Sequence, residues 1–204
     1  GTMTAVALAK DTAVIGFTVA YVLAFEIRSR TVQMVLFLIC TVPFLTSNII
    51  RMISWIPFLG REGILNTTLL KLHLIRQPLE FLLFSDFAVV LAFAHLYALF
   101  MITPIFNTMM RIDRSLLEAA LDGGAGWWRT ITHVILPLSK SGIAIGSIFV
   151  VTLVMGDFAT VRLMSGGQSA SVGLMIANQI SLLQYPAACA NAVVLLLVVL
   201  MMIA

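Results

Sequence analysis

The polar segment of residues 111–140 is rich in small and acidic residues. Five of its residues have types and a spacing that could serve a function: Glu118, Ala119, Ala120, Asp122 and Gly124. Alanine has almost no side chain, so a partner surface can approach the backbone closely. The two carboxylates can pair with Arg or Lys on that partner. Glycine permits a sharp turn that a residue with a Cβ resists. These residues indicate a docking segment that transmits force between two rigid bodies.

Catalytic and phosphate-binding patterns are absent from the sequence. It contains no His-Glu-x-x-His, no Gly-x-Ser-x-Gly and no Gly-x-x-x-x-Gly-Lys-Ser/Thr motif, so neither a membrane enzyme nor an ATP-binding chain is indicated. Cys40 and Cys189 lie in apolar segments far apart, with no histidine at metal-ligand spacing, and we interpret them as packing residues. No cofactor and no metal site are expected on this chain.

The composition places the chain in a lipid bilayer. Of its 204 residues, 61% are hydrophobic and 10% are charged, whereas soluble domains carry roughly 25% charged residues. The net charge of +3 comes from scattered Arg and Lys, so nucleic acid is not an expected partner. The sequence therefore predicts an all-α, polytopic membrane protein.

Five spanning helices are predicted from the uncharged stretches, at residues 5–25, 31–55, 87–110, 141–161 and 186–204. Pro43 and Pro104 fall inside the second and third helices and should permit kinks. Basic residues favour the cytoplasmic side, which places Arg28, Arg30 and the segment 111–140 inside the cell. The segments 56–86 and 162–185 are then external. The last apolar stretch ends without a charged flank, so the chain is expected to be a fragment of a longer protein.

Within the polar segment the sequence predicts a short helix at residues 115–122 and a glycine break that begins at Gly123. A second, amphipathic helix is predicted to end before Pro137. Trp55, Trp127 and Trp128 lie near predicted membrane boundaries, where indole rings commonly settle, and are assigned no transport role.

The spacing of this segment resembles the EAA loop of ABC importer permeases. Glu118-Ala119-Ala120 is followed after three residues by Gly124, and after nine more by Val134-Ile135-Leu136-Pro137, with Val134 at a position where Ile is usual. The resemblance implies a type I ABC importer permease fold, with residues 1–204 as one transmembrane domain. It also implies that residues 111–140 form the cytoplasmic coupling loop.

The same resemblance implies partners and a location. The loop would sit in a groove of a cytoplasmic ABC ATPase dimer, which binds ATP-Mg and hydrolyses ATP. A second permease subunit, identical or homologous, and an external solute-binding protein complete the importer in the bacterial inner membrane. Six spanning helices are usual in this family, so a further helix is expected before Gly1.

A second group of residues is similar to the spermidine/putrescine branch of these permeases. Gly156-Asp157-Phe158-Ala159-Thr160 and the later Gly166-Gly167 follow that pattern, but Val161-Arg162 replaces the usual proline. A polyamine is therefore one candidate for the small solute, while iron, sulfate and opine importers of related branches stay open. An ion-gradient-driven secondary transporter is the other alternative.

Two polar residues are expected in or beside the spanning helices. Asp157 could attract a cationic solute, or it could pair with Arg162 or cap its loop, and these alternatives stay open. His95 has no second histidine or carboxylate at helical spacing, so we expect a hydrogen-bonded packing role.

Overall fold

The computed structural model describes residues 2–27, 29–73, 75, 77–79, 82–167 and 169–203. Every regular element within these ranges is helical, as the composition predicts. The α-helices are α1 Thr2–Tyr21, α2 Arg30–Thr41, α3 Asn48–Ile53, α4 Ile56–Leu59, α5 Ile64–Lys71, α6 Asp86–Met109, α7 Arg114–Asp122, α8 Trp127–Thr130, α9 Leu136–Gly156, α10 Ala159–Met164, α11 Val172–Ser181 and α12 Tyr185–Ile203. Two π-helical turns, Val22–Glu26 and Ile131–Ile135, continue α1 and precede α9.

Four helical stretches in the described part of the chain are long and apolar enough to cross a membrane. They are Leu8–Glu26, Asp86–Met109, Trp127–Gly156 and Tyr185–Met202. A fifth is present if the broken pair Arg30–Leu45 and Asn48–Lys71 counts as one span. The prediction of about five spanning helices is confirmed, while the sidedness of their loops stays a prediction.

The second predicted span, residues 31–55, was wrong as a continuous helix. The α-helix ends at Thr41, a 3₁₀ turn follows at Val42–Leu45, and α3 begins only after a break at Thr46 and Ser47. Pro43 explains the interruption, because it has no N–H to donate and its ring clashes with the preceding turn. Pro104 lies inside α6 without ending it.

The fourth span was also predicted with the wrong limits. Instead of a separate helix that ends before Pro137, one helical stretch runs from Trp127 through Pro137 to Gly156. In the π-helical turn Ile131–Ile135 just before the proline, the Leu136 N–H bonds the Ile131 carbonyl, five residues back. This wider turn relieves the crowding that a proline ring causes in a regular α-helix. Asp157 therefore follows the end of the helix and does not lie inside it.

The chain forms two compact units built from interleaved segments. The first contains Gly1–Leu8, Phe44–Leu96 and Val151–Ala204, and the second contains Ala9–Pro43 and Tyr97–Val150. The expectation that residues 1–204 act as one domain stays a prediction.

Glycines permit close helix packing in the second unit. Gly142 lies so near α6 that a Cβ there would meet the Pro104 carbonyl oxygen at 2.6 Å, and Gly16 is packed against the Met101 side chain. Small residues let membrane helices approach closely where lipid gives no hydrophobic drive for association. The polar segment of residues 111–140 therefore begins and ends at tightly packed helices, α6 and α9.

The first unit contains a buried, hydrogen-bonded amide side chain, Asn66 of α5. Asn66 is fully buried, and its amide nitrogen donates to the carbonyl oxygens of Gly60 at 3.1 Å and Leu79 at 3.2 Å. Its Oδ1 accepts from the Leu79 N–H at 2.9 Å. These hydrogen bonds connect α5 to the chain on both sides of it.

Candidate coupling loop

The predicted docking helix is α7, and its start is fixed by a side-chain cap. The Oδ1 of Asp113 accepts a hydrogen bond from the Ser115 N–H at 3.0 Å, which satisfies one of the free donors at the helix start. The helix begins at Arg114, one residue before the predicted limit, and ends at Asp122 as predicted.

The α7 surface is open along its whole length. None of its residues is buried: Glu118, Ala119 and Asp122 are exposed, and Ala120 is half-buried. Leu116 and Leu121 are 49% and 55% exposed. Exposed leucines therefore lie on the same open helix as small alanines and carboxylates.

A Schellman turn ends α7. Gly124 has a φ of +79°, and its N–H donates to the Leu121 carbonyl at 2.9 Å, while the Ala125 N–H donates to the Ala120 carbonyl at 3.0 Å. This pair of bonds satisfies the last helix carbonyls and requires a left-handed residue at position 124. A Cβ at Gly124 would meet no atom within 4 Å. The glycine is therefore required by the backbone conformation and not by crowding, as the sequence predicts.

The return of the loop is held by Trp127, a residue to which the sequence alone assigned no role. Its Nε1–H donates to the Tyr21 hydroxyl at 3.0 Å, and the two rings meet edge to face with centroids 6.3 Å apart. Tyr21 ends α1, so this contact joins the loop after α7 to a long apolar helix. From the sequence one could expect the indole N–H of Trp127 to have a hydrogen-bond partner. Which residue is the partner depends on the fold.

Replacing Trp127 should loosen the loop without unfolding the protein. Trp127→Phe keeps a ring but removes the hydrogen bond to Tyr21, and we expect amide exchange across residues 123–130 to rise about fivefold, since one such bond contributes about 1 kcal/mol. Hydrogen exchange measured by mass spectrometry checks this. Trp128 is 68% exposed, so Trp128→Phe is the matched control. Equal exchange in the two variants would contradict the role of Trp127.

The other predicted residues of the segment lie farther along the chain. Leu136 and Pro137 are exposed at the start of α9. Among the described residues no hydrogen bond or ring contact joins them to Glu118. The structure thus brings Glu118 to Gly124 together in one helix and turn, while Leu136 and Pro137 begin the next spanning helix.

Asp157 lies in the first unit, in a turn between α9 and α10. Its Oδ1 accepts from the Thr160 N–H at 3.0 Å and its Oδ2 from the Thr160 hydroxyl at 2.5 Å. The Ser171 hydroxyl donates to the Asp157 carbonyl at 2.8 Å. The side chain is half-buried. Of the alternatives that the sequence left open, the loop-capping contact is present in the structure.

Comparison with known proteins identifies the family. Residues 13–204 match the family described as "Binding-protein-dependent transport system inner membrane component". The chain belongs to this family. The resemblance to ABC importer permeases is thereby confirmed: this is a transport component and a multi-pass membrane protein.

The curated relatives include permeases of the spermidine/putrescine branch. The chain is 34% identical over 165 residues to the spermidine/putrescine transport system permease protein PotB of Haemophilus influenzae. This match covers 81% of this chain and 57% of PotB. It is 32% identical over 186 residues to PotB of Escherichia coli, covering 91% and 66%. The inner membrane ABC transporter permease protein YdcU of Escherichia coli is 30% identical, and the match covers 86% of this chain and 58% of YdcU. The chain spans about three-fifths of the length of these relatives.

Proposed function

We propose that this chain is the membrane-spanning subunit of an ATP-driven importer that moves a small solute into the cytoplasm by alternating access. The observation that carries the proposal is α7, an exposed amphipathic helix closed by a glycine turn between two long apolar helices. In this proposal the exposed surface of α7 is the place where a partner docks. Because the sequence contains no phosphate-binding loop, a separate ATPase would supply the energy and would hold the ATP-Mg.

Each residue of the loop has a role in this proposal. Ala119 and Ala120 let the ATPase surface reach the α7 backbone, and Glu118 and Asp122 pair with basic residues on that surface. Gly124 fixes the angle at which the chain turns back, and Leu136 with Pro137 begins the helix that receives the movement. ATP-driven closure of two ATPases would shift α7 and switch the transport path from inward to outward access, and hydrolysis would reset it.

The importer would contain further subunits. A second permease, identical or homologous, would complete the path, and an external solute-binding protein would deliver the solute. The bacterial cytoplasmic membrane is the proposed location. These proposals rest on the family, whose description names binding-protein-dependent transport.

A polyamine is the first solute to test. The PotB relatives are named for spermidine and putrescine, and Asp157 offers a carboxylate at the end of the fourth spanning helix. Iron, sulfate and opine stay as alternative solutes of related permeases. The other alternative is an ion-gradient-driven transporter, for which transport would continue without any ATPase.

The solute proposal predicts an effect of Asp157→Asn on the reconstituted full-length complex. If the carboxylate attracts a polyamine, stimulation of ATP hydrolysis by spermidine or putrescine should need about tenfold more solute, because a charge-assisted contact contributes about 1.5–3 kcal/mol. A screen of ATPase stimulation that also includes unrelated anions measures this. Stimulation by anions alone would exclude the polyamine.

Thr160→Val is the matched variant, because it removes the capping hydroxyl from Asp157 but keeps the carboxylate. Under the polyamine proposal this variant should respond to solute like the wild type. If Thr160→Val and Asp157→Asn are impaired equally, the carboxylate acts as a cap and not as a solute contact.

A further inference from the structure

A cavity of about 370 Å³ lies in the second unit, where two helical stretches end and two helices begin. The lining contains two arginines and a glutamine beside mostly apolar residues: Ala24, Phe25, Arg30, Gln33, Met109, Met110, Ile112 and Arg114. The apolar stretches Leu8–Glu26 and Asp86–Met109 end here, and α2 begins at Arg30. The cavity is therefore at the level of a membrane surface, where the headgroups of lipids lie.

Gln33 satisfies the carbonyl groups at the back of this cavity. The Gln33 side chain is buried, and its Nε2 donates to the Ile27 carbonyl oxygen at 2.7 Å and to the Ala24 carbonyl oxygen at 3.1 Å. One Nη of Arg114 reaches the same two oxygen atoms, but only at 3.4 and 3.3 Å. Since the shorter bonds are stronger, Gln33 is the structural donor and Arg114 is held only weakly.

Two positive charges consequently border the cavity without a carboxylate partner. Arg30 and Arg114 are exposed, and among the described residues neither contacts an acidic side chain. Glu26 and Asp113, the acidic residues nearest in sequence, are not part of the lining, and Asp113 is engaged by the Ser115 N–H. Ser29 precedes α2 without a side-chain cap, so its hydroxyl does not satisfy the first N–H groups of that helix.

We propose that this cavity binds a phosphate oxyanion, and that in the membrane the phosphate is the headgroup of an anionic phospholipid. A guanidinium fork matches phosphate oxygens in geometry and charge. Basic pockets between spanning helices at a membrane surface are suited to acidic headgroups. A volume of 370 Å³ equals roughly a dozen water molecules, which is enough for a phosphate and part of its glycerol.

The proposed site has a consequence for the coupling loop. Arg114 is the first residue of α7 and Arg30 the first residue of α2. A phosphate held by both would join the start of the coupling helix to the start of a membrane helix. The lipid would then order the loop on which an ATPase docks.

Lipid retention by the full-length complex tests the proposal. The complex is purified from vesicles of phosphatidylcholine with or without phosphatidylglycerol, and the retained phosphatidylglycerol is measured by native mass spectrometry. Each arginine near an anionic surface contributes about 1 kcal/mol. We therefore expect half-maximal retention to need about fivefold more phosphatidylglycerol in Arg30→Gln or Arg114→Gln, and about 25-fold more in the double variant. Arg114→Lys should recover part of the loss.

Arg111→Gln is the matched control, because Arg111 is an exposed arginine of the same segment that does not line the cavity. Retention should be unchanged in this variant. Equal losses in Arg111→Gln and in Arg114→Gln would overturn the site in favour of general surface charge, as would full retention in the double variant. Inorganic phosphate that binds in neutral vesicles with the same arginine dependence would support the oxyanion site and assign its source to solution. Unchanged helical circular dichroism of each variant excludes misfolding as the cause.

Discussion

Glu118→Lys should abolish most solute uptake while ATP hydrolysis by the complex continues. The residue is exposed at the centre of α7, so its replacement leaves the membrane fold intact and changes only the surface offered to a partner. Reversing a charge that is desolvated against a partner's arginine or lysine costs about 2–5 kcal/mol. Uptake by proteoliposomes should therefore fall at least about thirtyfold, and the ratio of ATP hydrolysed to solute transported should rise.

Glu62→Lys makes the same charge reversal at an exposed position of the predicted external segment. Its uptake should stay close to that of the wild type. An ion-gradient transporter predicts no effect of either variant, and transport that persists without the ATPase would exclude the importer. If Glu118→Lys and Glu62→Lys transport equally well, α7 is not the docking helix.

The local features of the coupling loop could be predicted from sequence because neighbouring residues determine them. The polar pattern of residues 115–122 and the glycine at position 124 contain the information for a short helix and its left-handed turn. Hydrogen bonds between residues three to five positions apart complete that turn. The spanning helices were predictable for a similar reason, since the bilayer sets their length and excludes charge.

Two errors arose where proline was interpreted only as a helix terminator or a mild kink. Pro43 follows α2 in a 3₁₀ turn, and the helix breaks fully, whereas Pro137 lies inside a continuous helix behind a π-helical turn. Whether a helix absorbs a proline depends on whether neighbouring backbone groups can rearrange around it. That depends on packing, which periodicity does not encode.

Long-range contacts were beyond sequence reasoning for a related reason. Trp127 bonds Tyr21, 106 residues away, and Arg114 reaches the Ala24 carbonyl, 90 residues away. A single sequence gives the polar groups that need partners, but the partner becomes evident only when the helices are assembled. The connection between the loop and the end of α1 is therefore a finding of the structure.

Gly124→Ala should weaken docking of the ATPase by about fivefold to thirtyfold. With a φ of +79°, position 124 is in the left-handed region, where a Cβ costs about 1–2 kcal/mol. No atom lies within 4 Å of the place that a Cβ would occupy, so the whole effect comes from the backbone and from loss of the Schellman turn. Binding of the purified ATPase to the reconstituted permease, measured as a dissociation constant, checks the prediction.

The neighbouring glycine separates this conformational effect from a general effect of loop substitution. Gly126 has a φ of −67° and also has no atom within 4 Å of a Cβ, so Gly126→Ala should bind the ATPase like the wild type. Gly124→Asn should be impaired less than Gly124→Ala, because Asn tolerates the left-handed conformation better than most residues. If all three variants bind equally, the left-handed turn that follows α7 does not matter for docking. A loss that is largest in Gly124→Ala, smaller in Gly124→Asn and absent in Gly126→Ala is expected only if the left-handed turn sets the direction of α7 against its partner.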